Sequence, residues 1–211
     1  MNRIAEGYVK LGTWGLHLFL LNLLWLLFSA GGLLVAGLFP ATAALFSVVK
    51  RLMEGKDDIR IFKEFWTQFK EHFIRANVLG YTLLLAGALL YIDFRVMQQL
   101  VGTSVFHLFL LTFLYLFIFF YLFAALYAFP ILVHYRMNVW GCLKYSLIMA
   151  VGKPLQSLGL VLALGVLFWL YAKVPGLVPV FGASFIPFVI LKIVLRSFGN
   201  PMQAAKINAR N

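Results

Sequence analysis

Two stretches of this sequence match each other, and they decide the fold. Residues 17–40 read HLFLLNLLWLLFSAGGLLVAGLFP, and residues 107–130 read HLFLLTFLYLFIFFYLFAALYAFP. Both begin with HLFLL and end with FP at the same spacing, and neither contains a charged side chain. About 20 apolar residues cross the roughly 30 Å hydrocarbon core of a bilayer, so each stretch is long enough to span it. The pair predicts two equivalent membrane spans and an internal repeat.

The composition extends this prediction to the whole chain. Of 211 residues, 63% are hydrophobic and 12% are charged, and the mean hydropathy is +0.93, whereas soluble domains carry about 25% charged residues. We therefore predict an all-α, polytopic transmembrane helical bundle. The single cysteine, Cys142, argues against an internal disulfide and a cysteine-based metal cluster. The N-terminal residues lack a signal-peptide cleavage pattern, so we expect that segment to be retained.

The charge distribution indicates a membrane surface rather than nucleic acid as the partner. The formal net charge is +11, but lysines and arginines stand at the ends of the apolar runs. This is the pattern of the positive-inside rule, in which cytoplasmic loops carry the excess of basic residues. We expect the lipid bilayer as a partner, no nucleic acid, and cytoplasmic locations for residues 50–75, residues 136–153 and the C-terminus.

The uncharged run from Thr13 to Val49 leaves the number of spans open. In one interpretation residues 13–38 form one tilted span and Pro40 starts a shorter helix, which gives five spans with the N-terminus outside. In the other, Gly31-Gly32 is a turn and the run forms two short spans, which gives six and moves the N-terminal basic residues inside. The repeat favours five, and the charge count slightly favours six.

The remaining runs complete a single integral membrane domain, residues 1–211. Spans are predicted at residues 77–91, 105–135, 155–171 and 177–195, with a short helix at 138–152. The repeat extends to parallel units at 13–96 and 104–173, followed by an extra span at 177–196. The prolines that end the two matching stretches are expected to redirect their helices toward cytoplasmic amphipathic segments.

The most charged part of the chain contains an amphipathic helix. From Arg60 onward, five aromatic residues recur at helical spacing on one face, opposite a face of mixed charge: Phe62, Phe65, Trp66, Phe69 and Phe73. This pattern is typical of a helix that lies in the cytoplasmic interface. It fits equally a helix packed under the bundle. We single out Phe65, Trp66 and Phe69 as candidate residues for docking a partner.

Few polar groups in the apolar runs are candidates for function. Asn22 could line a polar path, or it could hydrogen-bond to a neighbouring helix, which is a common use of an amide in membranes. Asp93 and Arg95 close a span, where either function or snorkelling explains an ionisable side chain. The other candidates for function or docking are Trp25, Pro40, Thr42 and Asn77. Pro40 and Thr42 suit close packing, and the Thr42 hydroxyl can bond back to the backbone.

The sequence contains no recognisable catalytic motif. There is no P-loop, no H-E-x-x-H and no G-x-S-x-G. His17 and His107 open the two matching stretches, but two histidines without further ligands do not predict a metal site. We expect no enzyme activity, no cofactor and no metal.

Several segments resemble one family of bacterial membrane proteins. GLFPATAALFSVVKRLMEG at 37–55, IFKEFWTQFKEHFIRAN at 61–77, LNLLW at 21–25 and YAFP at 127–130 resemble the YesL-like proteins. The resemblance implies a bacterial plasma-membrane protein, mainly from Gram-positive species, whose genes often lie beside carbohydrate ABC importers and glycan-degrading enzymes. It implies no catalytic residues.

These expectations lead to one hypothesis and two alternatives. The hypothesis is a non-catalytic protein that assists oligosaccharide uptake by associating with the permease subunits of an ABC sugar importer. The alternatives are a stand-alone small-solute transporter or channel, for which parallel repeats are a known plan, and a membrane assembly or structural factor.

Overall fold

The chain folds into helices joined by short connections. The computed structural model describes residues 3–55, 60–99, 105–135 and 137–195, and it contains no β-strand in these ranges. The helices are α1 Arg3–Gly31, α2 Leu38–Met53, α3 Ile61–Gln99, α4 Val105–His134, α5 Val139–Gly152, α6 Pro154–Lys173 and α7 Leu177–Val194. The all-α prediction is confirmed.

Five of these helices are long and apolar enough to cross a membrane. They contain the stretches Gly12–Gly31, Ile61–Gln99, Val105–His134, Pro154–Lys173 and Leu177–Val194. This confirms the prediction of a polytopic helical membrane protein. The 16-residue α2 is about 24 Å long, and most of its residues are buried between its neighbours.

The long uncharged run is broken where the two glycines predict a turn. Leu33 and Leu34 have φ of 55° and 61°, and residues in this left-handed region end an α-helix. Gly37 is required at the close of the turn, because a Cβ there would lie 2.5 Å from the Phe28 carbonyl oxygen. The first span therefore ends at Gly31 rather than at residue 38. The turn at the two glycines, which the second interpretation predicts, is present, and so is the shorter helix near Pro40, which the first one predicts.

The two matching stretches differ in their local structure. In the first, the chain turns at residues 32–37, before Pro40, which lies in the first turn of α2. Proline is tolerated there because the first backbone N–H groups of a helix have no intrahelical partner. In the second, α4 continues past Pro130 to His134. The prediction that the proline redirects the helix is wrong for Pro40, because the turn precedes it, and for Pro130 it remains a prediction. The repeat units themselves remain a prediction.

The amphipathic segment is not a separate interfacial helix. It is the first part of α3, a continuous helix of 39 residues that is about 58 Å long. The segment packs antiparallel to α2: Arg51 and Glu64 form an ion pair at one end, and the Phe39 ring lies against Gly80 at the other. No proline interrupts residues 61–99, so the helix propagates directly into the span.

The first and last helices pack antiparallel. Asn22 of α1 contacts Pro179 and Ala183 of α7, while Trp14 and Phe188 meet edge to face with ring centroids 5.6 Å apart. When a chain crosses a membrane an odd number of times, its first and last spans run parallel. The direction of α7 therefore fits the six-span alternative, with α2 as the extra passage, rather than five spans with an external N-terminus.

Half of α3 and half of α4 lie outside the buried core. Among the described residues, α3 has no buried residue after Leu83, and α4 has none before Ala124. These halves pair with each other, since Phe94 and Tyr115 meet with ring centroids 5.8 Å apart. We call residues 84–99 and 105–123 the outer hairpin. Its other side chains are largely exposed, aromatic and aliphatic.

Candidate functional site

A cavity of about 330 Å³ opens between α2, the first part of α3 and the end of α4. Most of its lining is polar, which is unusual in a chain of this composition. We call it the polar cavity. Its lining residues are Ser47, Lys50, Arg51, Glu54, Gln68, Glu71, His72, Arg75, Leu132, Val133 and Tyr135.

Two sets of polar residues with the same spacing build this cavity. Each set follows the order i, i+3, i+4 and i+7, which places its four side chains on one face of a helix. The sets are Ser47, Lys50, Arg51 and Glu54 on α2, and Gln68, Glu71, His72 and Arg75 on α3. Because α2 and α3 pack antiparallel, the two polar faces meet.

The charged side chains around the cavity make contacts both between the two helices and within each of them. Arg51 pairs with Glu64 at 2.6 Å, and Lys50 lies 3.9 Å from Glu54 one turn away on α2. The Gln68 amide donates to Glu64 at 3.1 Å and is 3.5 Å from Glu71. The Arg51–Glu64 ion pair joins the two helices, and the other contacts lie within one helical turn.

The end of α4 closes the third side of the cavity. Tyr135 packs its ring against His134 and Tyr145, with centroids 4.7 and 5.6 Å apart. Burial raises the pKa of the Tyr135 phenol, and the nearby Tyr145 raises it further. The Tyr135 hydroxyl therefore stays protonated at neutral pH and can donate a hydrogen bond.

Arg75 links the cavity to the connection between α4 and α5. Its guanidinium donates a hydrogen bond to the Met137 carbonyl, just before the first residue of α5. Cys142 lies on the same side of α5 and is fully buried. Burial raises the pKa of the Cys142 thiol, and Arg75 offsets this only in part. A protonated, buried thiol is a poor nucleophile.

Comparisons with known proteins place this chain in a family. The sequence profile described as "Protein of unknown function, DUF624" matches residues 18–94. "Uncharacterized protein YteU" from Bacillus subtilis (strain 168) is 38% identical over 174 residues, which cover 82% of this chain and 77% of YteU. "Uncharacterized protein YesL" from the same strain is 30% identical over 202 residues, which cover 94% of this chain and 92% of YesL. The chain belongs to the YesL-like family.

The comparisons extend to a third relative but to no known structure. "Uncharacterized protein YesV" from Bacillus subtilis (strain 168) is 28% identical over 181 residues, covering 84% of this chain and 85% of YesV. No solved structure matches. The profile match over residues 18–94 includes both polar faces of the cavity in this YesL-like protein.

The structure places the predicted site residues away from the polar cavity, since none of them lines it. Asn22 bridges two helices: its amide Nδ2 donates to the Pro179 carbonyl at 2.6 Å, and its Oδ1 accepts from the Ala183 N–H at 2.8 Å. Trp25 donates to the Thr42 hydroxyl at 3.1 Å, and Thr42 donates to the Leu38 carbonyl at 2.7 Å. The interhelical role of Asn22 and the back-bonding of Thr42 are confirmed.

Two of the five aromatic residues on the face of α3 are buried inside the protein. Phe65 and Phe69 are 0% and 8% exposed, and their rings lie 5.3 and 5.1 Å from that of Phe28 on α1. Trp66 is 40% exposed and stacks on Phe69, with Lys70 5.1 Å above its ring. Of these three candidates for docking, only Trp66 offers a sizeable exposed surface.

The other candidates support the fold or lie at its surface. Asn77 donates to the Ala36 carbonyl at 3.1 Å, and the Tyr81 hydroxyl donates to that of Val35, so α3 holds the turn between α1 and α2. Asp93 and Arg95 are exposed on the outer hairpin. No group of three or more metal-ligating side chains occurs in the described ranges.

Sequence reasoning noted the charges of the cavity but not the cavity itself. The mixed charge of residues 50–75 is evident in the sequence, and the two matching polar spacings were a usable signal. Glu64 and Glu71 belong to the face of mixed charge that the sequence predicts opposite the aromatic residues. That two polar faces meet depends on the antiparallel packing of α2 on α3, which the spacing on either helix does not specify.

Proposed function

We propose that this YesL-like protein is a non-catalytic component of carbohydrate uptake in the bacterial plasma membrane, acting as an accessory to an ABC importer. The outer hairpin is the observation that supports this most directly. Large apolar side chains such as Phe109, Phe113 and Phe117 are at least half exposed there. Two long helices outside the core offer a continuous surface to the membrane helices of another protein.

The interior of the bundle argues for a partner rather than for independent transport. Several buried polar side chains of the described helices bond to other parts of the fold. Besides Asn22, the Tyr127 hydroxyl is bonded to that of Ser157 at 3.0 Å, and Ser146 bonds back to the Cys142 carbonyl. A path for a sugar would need a row of hydrogen-bonding groups along the bundle.

A stand-alone transporter of small solutes is the second candidate. The polar cavity favours it, because it offers donors and acceptors in an otherwise apolar chain. Its lining comes from the end of α2, the first part of α3 and the end of α4. We expect this end to face the cytoplasm, since Lys50, Arg51 and Arg75 cluster there, and we place the C-terminus on the same side.

Affinity purification of the full chain from its own bacterium in a mild detergent tests the proposal. We expect permease subunits of an ABC importer to co-purify. Substituting Phe109→Ala and Phe113→Ala in the outer hairpin should weaken that association severalfold. The matched control is Leu162→Ala with Val166→Ala, two exposed apolar residues on α6, which should leave it unchanged. A chain that elutes alone and moves sugar into liposomes would overturn the proposal.

A further inference from the structure

The polar cavity has the size and chemistry of a ligand site. Its volume of about 330 Å³ lies at the lower end of the range for small-molecule pockets, about 300–1,000 Å³. Resting on the function proposed above, we infer that it binds a neutral sugar unit of one or two rings. The cavity lies at the end of the bundle that we expect to face the cytoplasm, so the sugar would bind from that side of the membrane.

The mixed charges of the cavity select against charged ligands. Arg51 and Lys50 stand close to carboxylates, those of Glu64 and Glu54, and Arg75 donates to the Met137 carbonyl. An anion in the cavity would meet the two lining carboxylates, and a cation would meet three basic groups. A charged ligand of either sign would therefore lie beside a desolvated side chain of the same sign, which disfavours its binding. A neutral ligand avoids this cost.

The mixture of donors and acceptors suits hydroxyl groups. Lysine and arginine only donate, ionised carboxylates only accept, and amides and hydroxyls do both. A sugar hydroxyl can accept from a cation on one helix and donate to a carboxylate on the other. Ser47, Gln68 and His72 are buried in the lining. The Ser47 hydroxyl donates to the Ala43 carbonyl, and its oxygen can still accept a hydrogen bond from a ligand.

The third wall of the cavity provides an apolar side for the ring. Leu132 and Val133 line it beside Tyr135, whose ring orientation is held by the contact with Tyr145. A sugar ring presents C–H groups on its faces and hydroxyls around its rim. The apolar wall would contact the C–H groups of the ring, and the two polar faces would contact its hydroxyls. Ligand pockets generally combine apolar and polar contacts in this way.

A ligand in this position would join three helices, so it should stabilise the folded protein. The test uses the full chain in mild detergent and follows unfolding with a thiol-reactive dye, since the single cysteine is buried. The neutral probes are D-glucose, D-galactose, D-xylose and maltose, and the charged probes are the anions D-glucuronate and inorganic phosphate and the cation choline. We expect at least one neutral sugar to raise the unfolding midpoint and no charged probe to do so.

Two other results would overturn the inference. One is stabilisation by a charged probe alone, and the other is no stabilisation by any of the neutral sugars. Because co-purification with permease subunits is measured without added sugar, the two proposals fail separately. A chain that binds its permease but no sugar would contradict only the inference, and one that binds sugar but no permease would contradict only the proposed function.

A conservative variant locates the site. Glu71→Gln keeps the shape of the side chain and removes a charged acceptor from the lining, so the affinity for the stabilising sugar should fall about tenfold. The matched control is Lys63→Gln, which changes an exposed charge on the same helix outside the cavity and should leave the affinity unchanged. Equal losses in both variants would place the bound sugar elsewhere.

Discussion

Replacing Asn22 with leucine tests whether its amide is a structural bridge. The side chain is 3% exposed and makes two hydrogen bonds to α7, at 2.6 and 2.8 Å. Interhelical hydrogen bonds in membranes average about 0.6 kcal/mol and reach about 1.7 kcal/mol. Two such bonds set a range from about 1.2 to 3.4 kcal/mol for the loss in the free energy of unfolding.

The geometry of α7 places the expected loss at the lower end of this range. The donor and the acceptor that Asn22 bridges belong to Ala183 and Pro179, which are four residues apart. This is the spacing of an ordinary α-helical hydrogen bond, so the two groups can satisfy each other once the amide is gone. Leucine also fills nearly the same volume, which limits any cavity. We expect Asn22→Leu to destabilise the protein by about 1–1.5 kcal/mol.

Reversible unfolding in mixed micelles with increasing SDS, followed by tryptophan fluorescence, measures this loss. Thr112→Val is the matched control, because Thr112 is exposed and bonds only within its own helix, to the Leu108 carbonyl. It should change the free energy of unfolding by only a few tenths of a kcal/mol. An unchanged Asn22→Leu protein would refute the bridge, and a loss above about 3.4 kcal/mol would refute the compensation within α7.

Three further predictions concern packing, the buried thiol and the ends of the chain. Gly80→Ala would push a methyl group into the Phe39 ring and should cost about 1–3 kcal/mol of stability, whereas Gly159→Ala, with open space around it, should cost little in the same unfolding assay. Cys142 should react with maleimide far more slowly in the folded than in the unfolded chain, and raising the pH through the ordinary thiol range should accelerate the unfolded chain more, because burial raises the pKa of the folded thiol. Because the folded thiol has the higher pKa, the free energy of unfolding should decline as the pH rises above the pKa of the unfolded thiol. Rapid maleimide labelling of the folded protein would contradict the burial of Cys142. Reporter tags at the two termini should report the same side of the membrane, and opposite sides would contradict the antiparallel packing of α1 and α7.

The membrane spans could be predicted because each one depends on the length and hydropathy of its own segment of sequence. The spans in α4, α6 and α7 follow from uninterrupted apolar runs and their charged or glycine-containing ends. The break between α1 and α2 was predicted only as one of two alternatives. Two leucines adopt the left-handed conformation there, which leucine disfavours, so packing rather than local preference sets the direction of the turn.

The site was harder to predict because it depends on contacts between helices. The aromatic periodicity of α3 was correct, but Phe65 and Phe69 cover Phe28 instead of facing a partner or a membrane surface. Each polar face of the cavity is visible as a helical spacing. That the two polar faces meet depends on the packing of α2 on α3, which the spacing of residues on either helix does not specify.

The bridge made by Asn22 has a consequence for biosynthesis. Its partners lie 157 and 161 residues further along the chain, in the last of the described helices. During translation α1 is made before α7, so its amide enters the bilayer without its α7 partners and waits until they have been synthesised. Contacts at such separation form late. A chain that stalls before α7 is made therefore carries the Asn22 amide within the membrane without the two partners that it has in the folded protein.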